Sequence, residues 1–111
     1  MKKLKRATVL KGTLDLLILR TLGLGPLHGV GVADRLAQIT KGTFVVGPGS
    51  LFPSLHRLEQ QAFVEGEWRE TPEGRRARFY RLTDPGRKQL ADETREWRRI
   101  VAAMELVFES N

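Results

Sequence analysis

Apolar residues recur every three to four positions through GTLDLLILRTLGL, residues 12–24. Leu14, Leu17, Ile18 and Leu22 form one stripe, and Leu16 and Leu19 widen it. That spacing predicts a helix, and a helix apolar over so much of its surface sits at the centre of a fold. Gly25-Pro26 ends it. In GVGVADRLAQIT, Val32, Leu36 and Ile39 share a face with Ala33 and Ala37, which predicts a second helix. Gly42 stands where a left-handed C-cap belongs. TFVV, residues 43–46, reads as a minor strand because it is short and β-rich.

The stretch GPGSLFPSLHRLEQQ, residues 47–61, sets Leu51, Leu55 and Leu58 at helical spacing with Pro53 among them. Two starts are open. Gly47 as N-cap puts Pro48 in the first helical position. Ser50 as N-cap puts Pro53 in the third position, where the N–H has no intrahelical partner to lose. The second start is preferred because it removes the conflict over Pro53, and it gives a helix over residues 51–61. FVEGEWR (63–69) and ARFYRL (77–82) then alternate as strands, with Val64 and Trp68 facing Tyr80 and Leu82. ETPEGRR joins them as a charged turn. Thr83 and Pro85 open a last helix that runs nearly to the end of the chain.

Three helices, a hairpin and a long helix make a mainly α fold with a small β-hairpin. The expected architecture is a winged helix-turn-helix over residues 1–83 and a C-terminal dimerisation helix over residues 84–111. The second helix of a helix-turn-helix pair enters the major groove with its N-terminal end near base edges. Ser50, Pro53, Ser54, His56 and Arg57 are therefore the DNA-binding candidates on the recognition helix, and Arg75, Arg76 and Arg78 those on the wing. Arginines on a protruding hairpin suit phosphate or minor-groove contact. A plain amphipathic surface helix and a solvated turn are the alternatives.

In the last helix, Leu90, Thr94, Trp97, Val101, Met104 and Phe108 alternate at intervals of four and three, the seam of a coiled coil. Ile100 and Val107 broaden it. Homodimerisation through this face is expected, against the alternative of a helix folded back on its own core. Symmetric dimers suit pseudo-palindromic operators.

Size and charge sharpen the picture. The chain has 111 residues, 41% of them hydrophobic, which suits one small domain. It contains no cysteine, so disulfides and thiolate metal sites are excluded. No run reaches the roughly 20 apolar residues of a membrane span. The basic start MKKLKRATVLKG is followed by an apolar stretch broken by Lys11, Asp15 and Arg20, so a signal peptide is not expected and a cytoplasmic location is. A net charge of +6 points to a polyanionic partner, nucleic acid or an anionic membrane, against the alternative of a merely basic soluble protein; with the helix-turn-helix, double-stranded DNA is the partner expected. His28 and His56 are the only histidines, and neither sits in a nucleophile motif, carboxylate pair or metal spacing. No catalysis, metal or cofactor is expected. A winged helix can also serve as a protein–protein module without DNA. Such a module would carry an acidic or apolar face where this chain has Ser50, His56, Arg57 and the wing arginines.

Taken in order, LKGTLDLLILRTLGLGPLHG, GSLFPSLHRLEQQAFV and RRARFYRLTDPGRKQL resemble the PadR family of bacterial transcriptional regulators, in its form with a short, single-helix C-terminal region. The resemblance covers nearly the whole chain. It implies a dimeric winged-helix repressor with Ser50, Phe52, Pro53 and His56 on the recognition helix and Arg75, Arg76 and Arg78 on the wing. It also implies the possibility of a small aromatic effector near the dimer interface, where Trp97 is the contact to expect; the alternative for Trp97 is a hydrophobic dimer anchor. The chain departs from the family pattern at Val30 and Phe52, where tyrosine is common, and at Ala62, where glycine is common. A helix end needing positive φ at Ala62 would be strained by roughly 1 kcal/mol.

Overall fold

The computed structural model describes residues 13–110. The elements are α1 (Thr13–Leu22), β1 (Leu27–His28), α2 (Gly29–Ile39), α3 (Pro48–Gln60), β2 (Val64–Glu70), β3 (Arg76–Leu82) and α4 (Asp84–Glu109). Helices α1, α2 and α3 pack on one another and on the sheet. The core joins Leu14, Ile18, Leu19 and Leu22 of α1 to Val32 and Leu36 of α2 and to Leu51, Leu55 and Leu58 of α3. Val64, Tyr80 and Leu82 close it from the hairpin. Burying each large aliphatic side chain contributes about 1.5–3 kcal/mol, so the leucine stripes are what hold the three helices together.

The sheet is antiparallel in the order β1-β3-β2. Val64 pairs with Leu82, Gly66 with Tyr80 and Trp68 with Arg78, which puts the expected residues on one face. β1 is too short to show any alternation in sequence. It pairs Leu27 with Tyr80 and His28 with Phe79. His28 then caps α2, its Nδ1 accepting the Gly31 N–H at 2.7 Å.

The helix and strand expectations need three corrections. α3 starts at Pro48 with Gly47 as N-cap, so Pro53 lies inside the helix. Pro48 brings a ready helical φ to a position whose N–H has no use, which extends the helix by a turn. Pro53 then forfeits one bond, to the carbonyl of Gly49, on an exposed stretch where water can replace it. TFVV forms no strand. The Phe44 N–H is taken by the Thr40 hydroxyl at 3.0 Å, and Val46 packs partly against the core. At the end of α2, the positive φ falls on Lys41 as well as Gly42. Lys41 and Gly42 donate back to Gln38 and Ala37, which closes the helix.

α3 ends in the same way, with Ala62 at φ 64° donating to Glu59 and Phe63 donating to Leu58. From there the chain turns into the hairpin, and α4 starts on the hairpin's base. Thr83 caps α4 by accepting the Gly86 N–H at 3.0 Å, while its own hydroxyl donates to the Ala62 carbonyl at 2.6 Å. A Cβ at position 86 would lie 1.9 Å from the Phe63 carbonyl oxygen, so only glycine allows this approach. The first turns of α4 pack on α1. From Arg95 to Ser110 every residue is exposed. No helix among the described residues is long and apolar enough to cross a membrane.

Candidate nucleic-acid interface

α3 exposes Ser50, Phe52 and Pro53 in its N-terminal half and His56 just past its middle. The Phe52 ring lies over the backbone of Gly29 at the start of α2. Ser54, expected to face outward, is only 5% exposed. Its stripe is that of Leu51, Leu55 and Leu58, three and four residues apart. Arg57 is exposed but turned back towards α1. Its Nη2 donates to Asp15 Oδ1 at 2.7 Å and its Nε to Asp15 Oδ2 at 3.3 Å. The same Nη2 donates to the Ser54 hydroxyl at 3.2 Å. The carboxylate's hydrogen bond and charge raise the pKa of the guanidinium further. The outward orientation expected for Ser54 is therefore corrected, since it is buried, while Arg57 stays exposed with its guanidinium tied to Asp15. The missed signal was Asp15, a lone acid within an apolar helix.

The hairpin sorts its arginines similarly. Arg75 and Arg76 are exposed at the tip. The tip is closed by Thr71, whose N–H donates to the Arg75 carbonyl at 2.6 Å and whose hydroxyl accepts the Arg75 N–H at 3.2 Å. Arg76 lies over the Trp68 ring at 5.3 Å. Arg78 does not sit on the tip. β3 carries it to the face shared with Tyr80, where its Nη2 donates to Glu59 Oε2 at 2.5 Å. Its guanidinium lies 5.8 Å from the centre of the Trp68 ring and 5.9 Å from that of Tyr80. The hydrogen bond to Glu59 is the main cause of a raised Arg78 pKa, while burial pushes the Tyr80 phenol up. Arg78 thus ties the hairpin to α3 and stands off the tip, where it was expected, while staying partly exposed.

An open groove of about 600 Å³ runs between the start of α2, the side of α3 and the wing. Val30, Phe52 and Trp68 line it, and Arg75 and Arg76 stand at its wing side. A polyanion entering here meets aromatic surface and the guanidinium groups of Arg75, Arg76 and Arg78, with Glu73 on the same lining offsetting part of their charge. Among the described residues no cluster of His, Asp or Glu could hold a metal ion. Lys2, Lys3, Lys5 and Arg6 lie outside the described residues.

On α4, Trp97 is 41% exposed and Phe108 72%. Ile100, Val101, Met104 and Val107 are exposed between them. Leu90 departs from the expected seam, since it packs against the chain's own core with its Cδ2 close to Gly23.

The sequence matches the Transcriptional regulator PadR-like family over residues 18–92. The chain belongs to this PadR-like family. It is 36% identical over 69 residues to the transcriptional regulator Rv3488 of Mycobacterium tuberculosis, a match covering 62% of this chain and 61% of that one. A solved PadR family transcriptional regulator from Eggerthella lenta superposes with a TM-score of 0.79 at 27% identity, covering 91% of this chain and 86% of that one. The crystal structure of smu.1704 from Streptococcus mutans gives a TM-score of 0.82 at 25% identity, covering 96% and 95%. The family is one of transcriptional regulators rather than enzymes. Within this PadR-like chain the family match spans α2, α3, the hairpin and the start of α4. It therefore includes both sides of the groove.

Proposed function

We propose that the protein is a homodimeric, sequence-specific DNA-binding repressor that acts in the cytoplasm on a pseudo-palindromic operator. The observation that carries this reading is the shared groove. Phe52 on α3 and Arg75 and Arg76 on the wing border one channel, beside the exposed Ser50, Pro53 and His56. The N-terminal end of α3 enters the major groove, with Ser50 and His56 nearest the base edges. Arg75 and Arg76 hold the flanking phosphates. Residues 1–83 read DNA and residues 84–111 dimerise. Trp97, Ile100, Val101, Met104, Val107 and Phe108 form the dimer contact, because about two dozen residues a side is the usual extent of a stable interface and this row supplies its apolar centre. A small aromatic effector would stack on Trp97 in that interface and change the spacing of the two recognition helices.

Footprinting on DNA that the protein retains from a random pool tests the reading. Two protected half-sites, related by dyad symmetry and about 10 base pairs apart or a multiple of that, are the expected result. A single unsymmetric footprint, or uniform protection, contradicts it.

A further inference from the structure

We propose that Glu59 is a positioning residue that locks the recognition helix and the wing into one rigid frame, with Gly66 as the seat of the guanidinium it holds. This rests on the DNA-binding reading for its consequence, while the lock itself is a property of the free protein.

Glu59 lies near the C-terminal end of α3, and its Oε2 accepts two donors from the hairpin. One is the Gly66 backbone N–H of β2 at 3.2 Å, and the other is Arg78 Nη2 of β3 at 2.5 Å. A single carboxylate oxygen therefore joins the helix to both strands of the wing. Gly66 and Arg78 sit on the same face of the hairpin, since Gly66 pairs with Tyr80 and its neighbour Trp68 with Arg78. A Cβ at position 66 would lie 2.4 Å from Arg78 Nε and 2.7 Å from its Cζ. Any side chain there displaces the guanidinium. Trp68 and Tyr80 flank the guanidinium, so Arg78 is held by stacking as well as by charge. The exposed end of α3 and the tip at Arg75 and Arg76 are on opposite ends of the two elements that this oxygen couples. Both of these ends lie away from the Glu59 contact, so their relative placement around the groove depends on the two elements not pivoting on each other.

The two available readings of Glu59 predict opposite signs. An uncoupled carboxylate near a DNA-binding face repels phosphate, so removing its charge tightens binding. A lock that loses its charge loosens binding. Glu59→Gln keeps the size of the side chain and removes only the charge. Gly66→Ala changes no charge and evicts Arg78.

The test begins without DNA, with amide exchange at Gly66 read by NMR in Glu59→Gln. Acceleration by about tenfold is expected, as for a charge-assisted hydrogen bond reduced to a neutral one once Arg78 is released. Unchanged exchange overturns the lock. Binding is then measured on the duplex that the unmodified protein selects from a random pool, against a scrambled duplex. Both variants should lose affinity for the selected duplex by about tenfold and for the scrambled one by less, with the salt slope unchanged because no phosphate contact is removed. Tighter binding by Glu59→Gln, or a shallower slope in Arg78→Gln, overturns the proposal and returns Arg78 to the set of phosphate contacts. If the unmodified protein selects no duplex, the DNA-binding reading fails, and the Gly66 exchange still decides the lock.

Discussion

Ala62 holds φ at 64°, a conformation that costs a residue with a Cβ about 1–2 kcal/mol. Ala62→Gly should relieve it, offset in part by the greater freedom of glycine in the unfolded chain, for a net gain of about 0.5–1 kcal/mol. Urea denaturation of the two proteins measures this directly, and equal midpoints would mean that the turn carries no strain. Arg57 offers a second case. Because Asp15 and Ser54 occupy its guanidinium, Arg57→Ala and Asp15→Ala should lower the melting temperature, and the double variant should melt no lower than the worse single one. Additive losses would contradict the pairing. These two residues mark what sequence reading could reach. The strain at Ala62 is legible through the family resemblance, which has glycine common at this helix end, where positive φ is a local demand. The Arg57–Asp15 pair was not, because its members are 42 residues apart and only the docking of α3 on α1 brings them together.

Among the elements, α1, α2, the hairpin and the Thr83 cap were legible because their signals are periodic or local. The start of α3 was not. Two starts compete in the sequence, and the cost of Pro53 depends on its exposed position, which only the folded chain sets. TFVV was misread because β-rich composition reports burial as readily as pairing, and Val46 uses its side chain for packing. α4 divides at about Arg95 into a half that packs on α1 and a half without cover from its own chain. Under the proposed dimer, Val101→Glu places a charge in the apolar seam. Sedimentation should then find the variant as a monomer at concentrations where the unmodified protein is a dimer, while circular dichroism still shows the folded domain. A dimer that survives Val101→Glu would move the interface elsewhere.

At the scale of the whole molecule, the arginines separate by task. Arg57 and Arg78 are held by carboxylates of other elements, while Arg75 and Arg76, which line the groove together with Arg78, stand exposed at the tip. Net charge pointed to a polyanion but could not say which cations were available, since that depends on which acids fold next to them. Arg76→Ala should weaken selected and scrambled DNA alike and reduce the slope of log affinity against log salt by about one unit. An unchanged slope would remove Arg76 from the phosphate contacts.

The most direct measurement is the binding of the purified protein to DNA from upstream of its own gene, against a scrambled duplex of equal length, at two salt concentrations. Saturable binding to the upstream DNA that survives the higher salt, with the scrambled duplex released, is the predicted result. Equal affinity for both duplexes, lost together as salt rises, would contradict a specific regulator of that gene, and no binding at low salt would contradict the DNA interface itself.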